Sequence, residues 1–329
     1  MTTAQPQSRA AVLADLTPDR RKVLYAFAAL VLLFAVGGVV KEGFVSRANV
    51  QTILLIASFV GFVAAGQTFV VLVGGIDFSV AWTLNAGAVL LTTSALGQNG
   101  RAPWAVLLTL GMGLAVGLVN GLGVAYLSVP AVVMTLGMNG VLQGLTLGLS
   151  KGLTCSSCTA AVPPVVRDAV VSSVLGVPAD LFLWLGVIAL VTFLLSFTTF
   201  GRRVYAIGNN PQASFLAGVN VRRVTVVLFM LSGMFAALGG IVLVAYSGNP
   251  TLGLGDPYLL QSVAAIVVGG VSILGGRGLF LGTVAGAITL VTLLTLLRAL
   301  QMPEYGRSIV YGLVILVILG LYGREREAR

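Results

Sequence analysis

The stretch VLVGGIDFS (residues 71–79) carries Asp77, the only carboxylate from the start of the second apolar run to the end of the fifth. A charge at membrane depth costs about 3 kcal/mol on insertion scales. The two glycines before it permit a sharp break in the backbone. Two readings stay open. In one, Asp77 caps a discontinuous segment beside a translocation path. In the other, it is the N-cap of the third span at an ordinary cytoplasmic turn.

Neutral polar side chains recur inside other apolar runs: Gln67, Asn85, Asn120, Asn139, Gln143 and Gln261. Any one of them can line a path or act as interhelical hydrogen-bond glue worth about 1 kcal/mol. As a set, with almost no buried charge, they suit a small neutral hydroxylated solute better than an ion.

The chain has no histidine. His-based triads, His proton relays and His metal sites are therefore excluded. Its two cysteines, Cys155 and Cys158, cannot complete a structural zinc site alone, so no metal centre is expected. They form either a C-x-x-C disulfide or two free thiols. The glycine-rich stretch AIVVGGVSILGGRGLFLG (265–282) lacks the Lys-Ser/Thr of a P-loop, as does every other segment. It is expected to form a tight cytoplasmic turn.

One stretch is basic. FGRRVYAIGNNPQASFLAGVNVRRV (200–224) holds Arg202, Arg203, Arg222 and Arg223. Asn210 suits an N-cap, Pro211 a first helical position and Gly218 the C′ position. The helix between them is roughly 10 Å long, and too short to stand alone in water. Phe215 and Leu216 offer an apolar contact to a docking partner, with arginines as flanking anchors. The bland alternative is a solvated loop whose arginines only set topology.

These residues are carried by an apolar chain: 57% hydrophobic and 9% charged, with mean hydropathy +1.03. Ten apolar segments lie near 23–40, 50–73, 79–96, 103–127, 130–149, 180–199, 224–246, 257–274, 279–300 and 307–322. Continuous runs without alternation predict helices. The expected fold is an all-α polytopic membrane protein of about ten transmembrane helices. The first run is read as an uncleaved span, being too long for a signal-peptide core and lacking a following cleavage site. With both termini inside, twelve of the 19 Lys and Arg residues fall on the cytoplasmic side and seven outside, which favours N-in and C-in. The net charge of +9 then reflects basic loops facing an anionic leaflet, not nucleic acid. Cys155 and Cys158 fall in the longest external loop.

A shift of 165 residues aligns Gly113, Gly117 and Gly121 with Gly278, Gly282 and Gly286, and the GGI of 74–76 with the GGI of 239–241. A true repeat with five spans per half makes two inverted five-helix halves. The expected organisation is a cytoplasmic segment 1–22, a transmembrane domain 23–322 and a tail 323–329.

GGIDFSVA, NGLGVAYLSVPAVVMTLG, FGRRVYAIGNNPQASFLAGV and AAIVVGGVSILGGRG occur in this order over residues 74–278. In this the chain resembles the membrane permease subunits of bacterial ABC importers of the ribose/xylose/arabinose branch. It departs from their pattern at Ala81-Trp82, at Leu259 and Gln261 in place of an acidic pair, and in its external CSSC. The resemblance implies a transport subunit of the inner membrane that does no bond chemistry. It implies a second permease copy or paralogue, cytoplasmic ABC ATPases that hold ATP and Mg, and a periplasmic solute-binding protein. It implies a monosaccharide as solute. It also implies that residues 200–223 are an ATPase-docking loop, in which Asn210 to Gly218 dock while Gly201, Arg202, Tyr205, Gly208 and Asn209 set the approach. An ion-coupled secondary transporter is the alternative, with Asp77 its one candidate coupling group. An intramembrane enzyme is disfavoured by the absence of His and of paired intramembrane carboxylates.

Overall fold

Within lipid a backbone must satisfy its own polar groups, and the apolar runs do so as helices. A computed structural model describes residues 18–150, 161–313 and 316. Five helices come first: α1 Pro18–Val40, α2 Arg47–Val71, α3 Val80–Ala95, α4 Ala102–Ala125 and α5 Ala131–Leu149. Short α6 Pro164–Val171 and the hairpin strands β1 Ser173–Val174 and β2 Val177–Pro178 follow. Then come α7 Ala179–Phe197, α8 Thr199–Asn209, α9 Pro211–Leu216, α10 Val221–Ser247, α11 Asp256–Val268 and α12 Phe280–Ala299. Residues 304–313 are helical, and most of the predicted tenth span lies outside the described residues.

Seven helices, α1, α2, α4, α5, α7, α10 and α12, are long and apolar enough to cross a membrane. The other two apolar runs are shorter than expected. α3 has 16 residues and α11 has 13. At about 1.5 Å per residue both fall short of a hydrocarbon core of about 30 Å. The predicted span 257–274 ends at Val268 because the chain then enters a glycine turn. Gly270, Gly275, Gly276 and Gly278 there take φ of 88°, 87°, 74° and 118°, which no helix continues.

The core is built on α2, α10 and α12, while α1, α5 and α7 lie at the periphery. α10 packs on α4, α2 and α3. The small-residue stripe of α4 makes this possible: a Cβ at Gly117 would overlap the Phe229 carbonyl, and one at Gly113 the Gly233 carbonyl. Gly282 and Gly286 of α12 meet the Gly269 and Ala265 carbonyls of α11 and its turn in the same way. Gly278, expected on that stripe, lies in the turn before α12. The GGI match fails in structure. Gly74 sits in a turn at φ 81°, whereas Gly239 and Gly240 lie inside α10.

The hairpin is the one departure from all-α structure among the described residues. It pairs Ser173 with Pro178 and Val174 with Val177. Arg47 Nη2 and Gln51 Nε2 donate to the Gly176 carbonyl at 3.1 and 2.6 Å, which ties its tip to α2.

Candidate functional site

The basic loop folds as two helices, one more than its caps predict. α9 starts where expected: Asn210 Oδ1 accepts from Ala213 N at 2.9 Å, and Pro211 occupies the first turn. It stops at Gly218, φ 84°. Phe215 is 67% and Leu216 80% exposed. Arg202, Arg203, Arg222 and Arg223, which flank this helix in sequence, are all exposed. Arg222 also lies over the Tyr126 ring at 5.6 Å, a cation–π contact.

The preceding helix, α8, was not anticipated. Its signal is a helical stripe of Gly201, Val204, Tyr205 and Gly208 at spacing i, i+3, i+4, i+7, which basic neighbours obscure. Val204 and Ile207 are buried. Thr198 caps it by accepting from Gly201 N at 3.3 Å.

The residues expected to set the approach of the docking helix therefore divide. Arg202 is exposed. Gly201 packs on the Leu195 carbonyl at the end of α7. Tyr205 Oη donates to the Gly278 carbonyl at 2.8 Å. Asn209 Nδ2 donates to the Gly276 carbonyl at 3.2 Å. A Cβ on Gly208 would overlap the Leu72 carbonyl. Burial pushes the Tyr205 phenol up to about 12, helped by the negative charge of Asp19, so it remains a donor at physiological pH.

Asp77 lies fully buried, and its turn does more than connect two spans. After α2 ends, the chain turns back beside that helix. Gln67 Nε2 donates to the Asp77 carbonyl at 2.7 Å, and Asp77 N donates to Gln67 Oε1 at 3.1 Å. Ser79 N and Oγ donate to Asp77 Oδ1 at 2.9 and 2.6 Å. Ser232 Oγ, from α10, donates to Asp77 Oδ2 at 2.7 Å. Asn120 Nδ2, from α4, donates to Ser79 Oγ at 2.9 Å. Gln67, Asp77 and Asn120 thus form one buried polar knot. Neither Ser79 nor Ser232 was singled out in sequence.

The other polar candidates lie elsewhere. Asn85 Oδ1 accepts from Gly255 N at 3.2 Å, and a Cβ on Gly255 would overlap the Ala81 carbonyl. The N-terminal ends of the two short helices, α3 and α11, therefore meet inside the bundle. Asn139 Oδ1 accepts from Trp82 N at 3.4 Å. Gln261 is half-buried, and Gln143 is exposed on α5.

Asp180, at the start of α7, is a second fully buried carboxylate. Ser58 Oγ contacts its Oδ2 at 2.5 Å. Asp77 is therefore not the one buried titratable candidate. Cys155 and Cys158 lie outside the described residues. No group of three metal-binding side chains occurs among the described residues.

Seven apolar helices of membrane-crossing length, two shorter apolar helices packed among them and an exposed capped helix make this a polytopic helical membrane protein. The profile of the family described as branched-chain amino acid transport system / permease component matches residues 49–319, and the chain belongs to that family. It is 34% identical over 310 residues to the autoinducer 2 import system permease protein LsrC of Escherichia coli (strain K12 / DH10B), covering 94% of this chain and 89% of that one. It is 33% identical over 299 residues to the ribose import permease protein RbsC of Haemophilus influenzae, covering 89% and 90%. No solved structure matches it. The chain is the permease subunit of an ABC importer, a class that works with ATPase and solute-binding partners.

Proposed function

We propose that the chain imports a small neutral hydroxylated solute, a monosaccharide, across the inner membrane, with N- and C-termini in the cytoplasm. Two permease subunits, copies or paralogues, pair with two ATPases that hold ATP and Mg, and a periplasmic binding protein delivers the solute. ATP binding closes the ATPases, the docking helices follow, and the cavity changes the side to which it opens. The ribose permease named above supports the sugar, as does the scarcity of charge among the polar candidates.

The observation that carries the reading is the exposed Phe215–Leu216 pair on a capped helix flanked in sequence by two pairs of exposed arginines. Two large apolar side chains at the water-facing end of a membrane protein call for a partner surface. Ligand identification on the solute-binding protein that stimulates this complex tests the substrate. A bound pentose or hexose is expected; a bound amino acid rejects the sugar.

The packing supports two inverted halves in which the short helices α3 and α11 correspond. α4 lies on α10 as α12 lies on α2, and α3 on α4 as α11 on α12. The path is placed where the first turns of α3 and α11 meet, near Asn85, Trp82 and Asn139. Half-helix N-termini at the midplane are a recurrent feature of transporter sites. The second copy is placed against α5, where Gly137, Gly140, Gly144 and Gly148 have open space beside them.

A further inference from the structure

Tyr205, Gly208 and Asn209 face inward from the docking loop, and what they hold has a consequence. They join two glycine turns that lie far apart in sequence. Gly276 N donates to the Leu72 carbonyl at 2.8 Å, linking the turn after α2 to the turn before α12. Gly208 sits where those two turns touch, and its missing side chain leaves room for both the Leu72 carbonyl and the Gly276 backbone. Asn209 and Tyr205 then bond to the Gly276 and Gly278 carbonyls on either side. A Cβ on Gly275 would lie 2.8 Å from Gly74 N, and one on Gly276 would lie 2.7 Å from Asn209 Oδ1.

These contacts are largely backbone on backbone. A long side chain can change rotamer and absorb a displacement, but a peptide group seated on a peptide group cannot. From the clasp, two rigid routes enter the bundle. The turn at 72–79 runs into the Asp77 knot and so reaches α10 at Ser232 and α4 at Asn120. The turn at 269–279 joins the end of α11 to the start of α12.

We infer that this three-way clasp of α8, the Leu72–Gly75 turn and the Gly275–Gly278 turn carries the displacement of the docking helix into the transmembrane bundle. Tyr205, Gly208, Asn209 and Gly276 are positioning residues. Motion reaches α3 and α12 through space, in addition to passing along the chain into the neighbouring α7 and α10. The inference rests on the reading that α9 meets an ATPase.

The test uses the complete complex, reconstituted in liposomes with ATPase and solute-binding protein. Tyr205→Phe removes one hydrogen bond and keeps the ring, and Gly208→Ala pushes the turns apart. Two quantities are read: the ATPase retained per permease, and the solute moved per ATP hydrolysed. Retained ATPase with a solute-per-ATP ratio lowered roughly two- to thirtyfold is expected for both variants. A residue that only supports folding lowers the yield of complex and leaves that ratio unchanged. A wild-type ratio in Tyr205→Phe overturns the inference, and so does loss of ATPase from that variant, which would place Tyr205 at the partner surface. If the wild-type chain retains no ATPase, the docking reading fails first and the clasp inference falls with it.

Discussion

Ser232 Oγ donates to Asp77 Oδ2 at 2.7 Å, joining residues 155 apart in sequence. That bond and the two from Ser79 leave the Asp77 carboxylate facing donors only. Asp77→Asn keeps an oxygen for Ser79 and turns its N–H₂ towards Ser232 Oγ, a hydroxyl that accepts as well as donates. It is expected to destabilise the fold by about 0.5–1.5 kcal/mol, the net worth of a hydrogen bond. Ser232→Ala, which leaves Asp77 Oδ2 buried without its donor, is expected to cost more, about 1–3 kcal/mol. Thermal unfolding of the purified permease in detergent orders the two variants.

The glycines of α4 and α5 should respond differently to the same change. Gly117→Ala places a methyl against the Phe229 carbonyl, while Gly144 has nothing within 4 Å of a Cβ. A loss of about 1–3 kcal/mol, typical of overpacking, is expected for Gly117→Ala. No loss is expected for Gly144→Ala in the single permease chain. Unfolding midpoints of the isolated subunit compare them.

Phe215→Asp with Leu216→Asp removes the exposed apolar pair of α9. The permease should keep its unfolding midpoint and lose co-purifying ATPase by about tenfold or more, as for truncation of a hot spot of at least 2 kcal/mol. Retention of the ATPase at the wild-type level rejects α9 as the docking element.

Tyr205 gives a pH prediction with a defined sign. Its folded pKa of about 12 lies above the free phenol value of about 10. Its contribution is therefore complete below about pH 10 and declines as pH rises towards 12. The stability difference between Tyr205→Phe and the wild type should be constant from about pH 6 to 9. It should shrink only above about pH 10. Unfolding measured across that range checks it.

α9 was legible because caps are local: Asn210, Pro211 and Gly218 each act within a few residues. The apolar runs were legible for the same reason. The shortness of α11 was not, since hydropathy records dislike of water and does not distinguish lipid from protein interior. Residues 269–274 stay apolar while their backbone leaves the helix. α8 was missed because Arg202 and Arg203, on its exposed side, hide a stripe of only four positions, two of them glycine. The partners of Asp77 were hidden by distance along the chain. The docking assignments of Tyr205, Gly208 and Asn209 came by resemblance from a contiguous motif, whereas in structure that motif has an outward half and an inward half.

Energy source is the central claim, and uptake by the reconstituted complex tests it most directly. Vesicles carrying the permease, its ATPase and binding protein are loaded with ATP, and the ATPase is replaced by a hydrolysis-deficient variant with no ion gradient changed. The account predicts that solute uptake stops. Continued uptake that collapses only when proton or sodium gradients are dissipated would contradict it and point to an ion-coupled transporter.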